Sequence, residues 1–251
     1  MDGAGRFIGE DRDVTHRSVR FFCVEGRTGK VLWERLRGDE DWWTGIEAIH
    51  EDVLLLHGFA TPDLPGHRGI TAFNIPDGRR LWRVPDATYR GFTEAGILAS
   101  RDLIYGEEVI TLDPATGDVQ RNSGDKPAVR HRIADTAPTV ALPEWMSLDE
   151  VRSLPEFQRM PALLPPAASD TVGVYRDPRV LLVSYYVPAE SNPSLLKGII
   201  MMADPSEGRV LISEMLHAGV AAPVRDSWFV AYGILFFIQE RAALCAVQFP
   251  E

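Results

Sequence analysis

The side chains in this sequence best suited to chemistry are histidines and carboxylates clustered near positions 50 to 67. His50, His57 and His67 occur there together with Asp52 and Asp63. Imidazoles and carboxylates are metal ligands, but the His-x-His and His-Glu-x-x-His spacings that mark zinc sites are absent. We therefore interpret these residues as loop and strand-end side chains and predict no bound metal.

Aromatic side chains precede this group. Trp42 and Trp43 stand among the carboxylates of Glu40, Asp41 and Glu47. An acidic mouth lined by aromatic faces suits sugars or cations. This pattern predicts a ligand site close to the two tryptophans.

The candidate ligand-binding residues are thus Trp42, Trp43, His57 and His67. A glycosidase would need two facing carboxylates, and their separation does not follow from sequence spacing. The sequence contains neither a Gly-x-Ser-x-Gly nucleophile motif nor a Gly-x-x-x-x-Gly-Lys phosphate loop. We predict no catalytic residue and no cofactor, and we favour binding over catalysis.

The elements that must position these residues follow a repeat: an alternating apolar run, a glycine turn and a second apolar run. Its four copies carry Gly29, Gly78, Gly117 and Gly208, at steps of 49, 39 and 91 residues. The last step is close to twice a 45-residue period. A period of 40 to 50 residues is typical of four-stranded propeller blades.

Tryptophans follow two of these glycines by four residues. We expect Trp33 and Trp82 to fill the space between neighbouring blades. The third and fourth copies have Arg121 and Ile212 at that position instead. The seal between blades is therefore predicted for the first two copies only.

The copies at 21–33 and 70–82 resemble the repeat of the quinoprotein alcohol dehydrogenase-like (PQQ-like) β-propellers. That repeat reads Ala-x-Asp-x-x-Thr-Gly-Lys-x-x-Trp, and the first copy matches it over Thr28–Trp33. The resemblance implies the fold, whereas the quinone enzymes of that group are longer, exported and carry adjacent cysteines. Cys23 and Cys245 are far apart in this sequence, so we expect the scaffold without the cofactor.

A weaker resemblance links the chain to an uncharacterised bacterial family. It rests on the segments Trp42–Gly45 and Gly69–Phe73. That resemblance implies no activity.

The repeat is interrupted between about 141 and 168. Ser147 and Glu150 form a capping box, which predicts a short helix over Leu148–Leu154. Prolines follow it, which indicates a helical, proline-rich insertion within the fourth blade. Two interpretations are open for this insertion: it packs over blade edges, or it serves as a lid or docking element over one mouth of the ring.

The docking interpretation has its own candidate residues. We expect Trp145, Met146 and Phe157 to contact a partner protein. A rigid ring of blades presents broad loop-built faces, on which binding residues are commonly found.

Composition restricts the partners. With 26 basic and 36 acidic residues the net charge is −10, which disfavours nucleic acids and anionic membranes. The amino terminus has no signal-like apolar run and the apolar segments are too short to span a bilayer. We therefore expect a cytoplasmic protein.

The sequence as a whole predicts an all-β fold, a β-propeller of five or six blades forming a single domain over 1–251, with one short helical insertion. The function expected first is that of a non-enzymatic protein-interaction scaffold with an unknown protein partner. The alternative is small-molecule or carbohydrate binding at the ring mouth, with or without hydrolysis.

Overall fold

The computed structural model describes residues 4–61, 64–122, 140–160 and 163–250. These residues form five antiparallel sheets of three to five strands, in which strands that are consecutive in sequence lie side by side. The predicted all-β fold is confirmed, and the sheets have the order of consecutive antiparallel strands that propeller blades have. Within the described ranges, no helix has the length and apolar character needed to cross a membrane.

The chain divides into two compact units, Met1–Pro138 and Thr139–Glu251. The first unit contains three sheets. Sheet 1 contains β1 (Arg6–Asp13), β2 (Ser18–Glu25) and β3 (Val31–Leu36). Sheet 2 contains β4 (Thr44–His50), β5 (Val53–Thr61), β6 (Leu64–Asn74) and β7 (Arg80–Val84). Sheet 3 contains β8 (Ala87–Thr93), β9 (Gly96–Leu103), β10 (Gly106–Leu112) and β11 (Val119–Asn122).

The second unit contains two sheets and two short helices. Sheet 4 contains β12 (Glu144–Ser147), β13 (Thr171–Arg176), β14 (Leu181–Ala189), β15 (Asn192–Asp204) and β16 (Arg209–Val220). Sheet 5 contains β17 (Trp228–Ala231), β18 (Ile234–Gln239) and β19 (Ala243–Gln248). The helices are α1 (Leu148–Ser153) and α2 (Pro155–Arg159).

Sheet 2 is buried on both faces by its neighbours in the first unit. Side chains alternate between the faces of a strand, and β5 places three consecutive leucines in the core. Leu54 and Leu56 belong to a cluster that includes Phe21 of sheet 1, whereas Leu55 belongs to a cluster that includes Ile110 of sheet 3. Burial on both faces fixes the position of β5 and of the residues that continue it.

The glycine turns have one shared geometry. Gly29, Gly78, Gly117 and Gly208 have φ values of 70°, 69°, 75° and 66°, in the left-handed region that costs other residues energy. Each glycine donates its N–H to the carbonyl four residues earlier. In every copy the turn joins the last two strands of its sheet.

The two repeat tryptophans cover the glycine turn of the following sheet. The Trp33 indole donates to the Ile75 carbonyl at 2.5 Å, and a Cβ on Gly78 would lie 2.9 Å from its ring. Trp82 donates to the Pro114 carbonyl at 2.8 Å in the same way. The predicted sealing role of these tryptophans is confirmed within the first unit.

The turn of sheet 4 is covered differently. A Cβ on Gly208 would lie 3.3 Å from the Cγ of Met160, which follows α2 and is itself buried. A flexible methionine therefore contacts this turn, whereas tryptophan contacts the turns of sheets 2 and 3.

The interruption in the repeat contains a strand as well as helices. The sequence led us to expect Glu144–Ser147 to lead directly into a helix, but this segment is β12, which pairs with β13 at the edge of sheet 4. The helix begins after Ser147, and both hydrogen bonds of the predicted capping box are present. The inserted part is therefore the stretch between β12 and β13.

The glycine turns provide a matched test of the tryptophan contact. Gly29→Ala and Gly117→Ala impose alanine on nearly the same φ, but an added Cβ meets nothing within 4 Å at Gly29 and lies 2.7 Å from the Trp82 ring at Gly117. We expect Gly29→Ala to lower the free energy of unfolding by about 1–2 kcal/mol through strain alone. Gly117→Ala should cost roughly 1–3 kcal/mol more because of overpacking.

Urea unfolding of the two variants and the wild type measures these differences. Equal losses for the two variants would contradict the contact between Trp82 and the glycine turn.

Candidate functional site

The two histidines of the predicted ligand site lie on one face of sheet 2 because a β-bulge corrects their register. In β5 and β6, His57 pairs with Ile70 but Phe59 pairs with His67, so Gly69 is an extra residue on β6. Gly69 has a φ of 83°, as expected for a glycine bulge. Without the bulge His67 would point to the opposite face of the sheet.

The neighbouring strand is also irregular at this point. Gly45 of β4 pairs with His57, and the ladder shifts between Ile46 and Ala48, so Glu47 is an extra residue. A Cβ on Gly45 would lie 2.6 Å from Nε2 of His57. The absence of a side chain at Gly45 therefore leaves room for the buried imidazole.

These two bulges bring three potential ligands together. Nδ1 of His67 lies 2.7 Å from Oε2 of Glu47, and the His57 and His67 rings stack with centroids 3.5 Å apart and planes inclined by 12°. One donor atom from each of the three residues lies within 4.8 Å of the others. Such a set could hold a metal ion.

Burial disfavours the charged form of His57. Its side chain is 7% exposed, and burial lowers the pKa of His57 from its ordinary value, with a further lowering from the charge of His67. Nδ1 of His57 lies 3.1 Å from the Gly58 carbonyl oxygen, which can only accept, so this nitrogen carries the proton. Burial and the charge of Glu47 raise the pKa of Tyr89 to about 12, so its hydroxyl stays protonated.

A charged pair on β1 holds β4 in place beside the histidines. Glu10 accepts a hydrogen bond from the Ile46 N–H at 2.7 Å and another from Arg12 at 2.8 Å. Arg12 also donates to the carbonyls of Thr44 and Trp42. The bulged strand is thus fixed to sheet 1 through side chains.

The two tryptophans of the predicted ligand site have separate roles. The Arg12 guanidinium lies over the Trp42 ring, 5.6 Å from its centroid. Trp43 packs edge to face on Phe59 with centroids 5.9 Å apart, and Phe59 in turn packs edge to face on both His57 and His67. Trp43 therefore supports the aromatic side of the site, and Trp42 supports Arg12.

A cavity of about 240 Å³ adjoins His57. It is polar, and its walls come from the segment before β4, from the first residue of β4, and from β5 to the residue just after β7. The residues that line it are Gly38, Asp39, Glu40, Thr44, Leu56, His57, Gly58, Phe59, Arg68, Gly69, Thr71, Arg83 and Pro85. Of the four predicted ligand-binding residues, His57 lines the cavity directly.

Three side chains hold the carboxylate of Asp39 at this cavity. Its carboxylate accepts hydrogen bonds from Thr71 at 3.0 Å and Arg80 at 3.0 Å, and it lies 2.9 Å from Nε of Arg83. No signal in the sequence pointed to Asp39 or Arg83, because Asp39 lies in the segment before β4 and Arg83 lies on β7, and these segments meet only in the folded sheet. Gly69, two residues after His67 within the apolar strand pattern, was the visible hint of the bulge.

The other residues considered in the sequence have structural contacts. His50 stacks on Phe92 with centroids 4.2 Å apart, and Asp52 forms an ion pair with Arg6. Asp63 lies outside the described residues. The structure brings His57 and His67 together and assigns packing or pairing to the other two described residues.

The predicted partner-binding residues belong mainly to the second unit's interior. Phe157 is 3% exposed and packs in a core cluster, and Met146 packs against the same cluster. Trp145 is half-buried, with the Arg225 guanidinium 5.8 Å from its ring centroid. The Phe157 side chain is therefore unavailable for a surface contact, because the helices dock onto sheet 4 through it.

Comparison with known proteins gives a family for part of the chain. The family described as a domain of unknown function (DUF4905) matches residues 2–82, which include sheet 1 and almost all of sheet 2. No curated protein matches.

Three solved structures are similar over most of the chain at low identity. BamB from Moraxella catarrhalis is 10% identical, with a TM-score of 0.30, over 98% of this chain and 74% of its own. A europium-containing methanol dehydrogenase is 12% identical, with a TM-score of 0.31, over 98% of this chain and 50% of its own. The quinohemoprotein alcohol dehydrogenase ADHIIG from Pseudomonas putida HK5 is 10% identical, with a TM-score of 0.27, over 94% of this chain and 49% of its own. The chain spans about half the length of the two dehydrogenases.

The electrostatics of His57 predict a pH effect on stability. Because its pKa is lowered in the folded state, the unfolded chain binds a proton that the folded chain does not, below about pH 6.5. The free energy of unfolding should therefore fall as the pH drops from 7.5 to about 5.5. It should level off once the pH is below the folded-state pKa.

Histidine NMR titration measures the midpoint of His57, and urea unfolding at several pH values measures the stability. His57→Asn should remove part of the decrease; the remainder is expected from His217, whose pKa burial also lowers. A His57 midpoint at or above 6.5 would contradict the prediction.

Proposed function

We propose that the protein is a binding protein whose cavity beside His57 holds a small, polyhydroxylated molecule of the size of a monosaccharide. The observation that carries this proposal is the cavity of about 240 Å³ at which the Asp39 carboxylate is held by Arg80, Arg83 and Thr71. Oriented polar groups around a concave site are what fixes a small ligand.

The mixture of charges favours an uncharged ligand. Asp39 and Glu40 contribute two carboxylates to the lining, and Arg68 and Arg83 contribute two guanidinium groups. A strongly anionic or cationic ligand would meet a like charge on one wall. Hydroxyl groups can donate to the carboxylates and accept from the guanidinium groups at once.

Size and an aromatic surface support the same class of ligand. The cavity volume of about 240 Å³ lies below the roughly 300–1,000 Å³ of pockets for drug-sized molecules. Phe59 supplies one apolar face in the lining, against which the C–H face of a sugar ring can pack. A ligand of one ring therefore fits better than an oligosaccharide.

The test is a thermal-shift screen of monosaccharides, polyols and other small metabolites, followed by calorimetric titration of the molecules that stabilise the protein. A ligand that binds only the folded state raises stability with its concentration. Asp39→Asn should weaken binding of such a ligand at least tenfold, about 1.4 kcal/mol, because a charged acceptor is lost.

Glu34→Gln serves as the matched control. Glu34 is an exposed carboxylate on β3 that pairs with Arg35, and its replacement should leave the ligand affinity unchanged. Equal affinities for Asp39→Asn and wild type, or no stabilisation by any neutral polyhydroxylated compound, would contradict the proposal.

A second candidate function is the protein-interaction scaffold expected from the sequence. One observation favours it: the tip between β9 and β10 exposes Leu103 at 57%, Ile104 at 90% and Tyr105 at 99%. Clustered large apolar side chains in water are characteristic of contact sites. The occupant would be another protein that offers an apolar groove to this tip.

The triple replacement Leu103→Ser, Ile104→Ser and Tyr105→Ser tests this scaffold. Because these side chains are exposed, the variant should still fold. Capture experiments that compare the wild type with the variant quantitatively should show that specific partner proteins no longer bind the variant. An unchanged set of captured proteins would exclude the tip as the contact. Concentration-dependent self-association lost in the variant would identify a second copy as the occupant instead.

A further inference from the structure

We propose that Glu47, His57 and His67 form a binding site for one divalent transition-metal ion of the zinc class. The donor atoms of the three residues lie within 4.8 Å of one another. The inference rests on this cluster alone and goes beyond the binding of a small molecule in the adjoining cavity.

The donor set selects the class of metal. Two imidazole nitrogens and one carboxylate oxygen suit zinc and its neighbours, whereas calcium and magnesium prefer oxygen ligands throughout. Three protein ligands are also the number found in zinc sites that keep a position for water or another molecule.

His57 is prepared for this role by its surroundings. Its Nδ1–H donates to the Gly58 carbonyl at 3.1 Å, which leaves the lone pair of Nε2 available. Metal-binding histidines usually donate their second ring nitrogen to a carbonyl or carboxylate in this manner. Gly45 keeps the space around Nε2 open, since a Cβ there would lie 2.6 Å away.

Glu47 and His67 complete the cluster. Glu47 is itself the extra residue of the bulge in β4, and His67 lies two residues before Gly69, the extra residue of the bulge in β6. Nδ1 of His67 is 2.7 Å from the Glu47 carboxylate. Since the His57 and His67 rings stack with an inclination of 12°, one ring has to rotate before both can share an ion. The His67 side chain is 40% exposed and has room to do so.

A positive charge beside the cluster, that of Arg12, is already compensated. Nη2 of Arg12 would lie 3.4 Å from a Cβ on Gly45, but it donates to the Thr44 carbonyl, and Nε of the same side chain pairs with Glu10 at 2.8 Å. The carboxylate of Glu10 therefore offsets the guanidinium close to the cluster.

The experiment uses the full chain without a histidine tag, treated with a chelator and dialysed. Titration with zinc chloride by calorimetry, with metal content measured by mass spectrometry, should give one zinc per chain. His67→Ala and Glu47→Gln should each weaken zinc binding at least tenfold, and His67→Cys should restore it because a thiolate is also a zinc ligand.

His16→Ala is the matched control. His16 contacts the Asp13 carboxylate at 2.6 Å and is exposed, so it repeats the imidazole–carboxylate pair without the stacked second imidazole. Zinc binding should be unchanged in this variant and in Asp39→Asn, which alters the cavity only.

Circular dichroism and melting temperatures establish that each variant is folded. No stoichiometric zinc binding by the wild type, or equal affinity in folded His67→Ala, would overturn the proposal and leave the stacked histidines as a packing feature. Loss of zinc binding in His16→Ala would also overturn it. None of these results bears on the sugar-sized ligand, whose affinity is measured through Asp39→Asn.

Discussion

The architecture of the first unit depends on an indole ring covering a glycine turn. A sheet of this size cannot bury its faces alone, so it needs a neighbour at a fixed distance. Trp33 and Trp82 set that distance, because each ring fits only where the next turn has no side chain and each indole N–H finds one carbonyl. The tryptophan can therefore pack in this position only because the residue at the turn is a glycine.

Packing between the sheets divides β5 into a core part and a part that carries the candidate site. With β5 buried on both faces, the middle of the strand is committed to the core. The part of the strand beyond Leu56 is then free to carry other side chains, the imidazole of His57 and the aromatic ring of Phe59. Bulges at Glu47 and Gly69 turn those side chains to one face, and bulges are found next to functional sites for this reason.

The sequence was informative where a local pattern repeats. Apolar alternation and glycine spacing predicted the strands and the sealing tryptophans, and Ser147 with Glu150 predicted the start of α1. The strand β12 was missed because four residues beside a helix signal have no period of their own. The burial of Phe157 was missed because a helix as short as α2 has too few residues to show an apolar periodicity, so the sequence does not indicate which side chain faces the core.

The candidate site was predictable only in part, because its residue types are visible in the sequence but their arrangement depends on strand register. His57 and His67 were visible as chemically able residues, but their shared face depends on a single extra residue in β6. A register shift of one residue reverses the direction of every side chain, and sequence spacing alone does not reveal it. Asp39 and Arg83 come from segments that meet only after sheet 2 has formed.

The contact between Met160 and the glycine turn of sheet 4 indicates how repeat proteins of this kind can change in sequence. Met160, which directly follows the helix α2 between β12 and β13, contacts Gly208, whereas in sheets 2 and 3 a tryptophan from the preceding sheet contacts the glycine turn. The glycine turn thus accepts a cap from either source. A gene encoding such repeats can gain a segment between strands and lose the indole beside it, provided the newcomer brings one adaptable apolar side chain to the same spot.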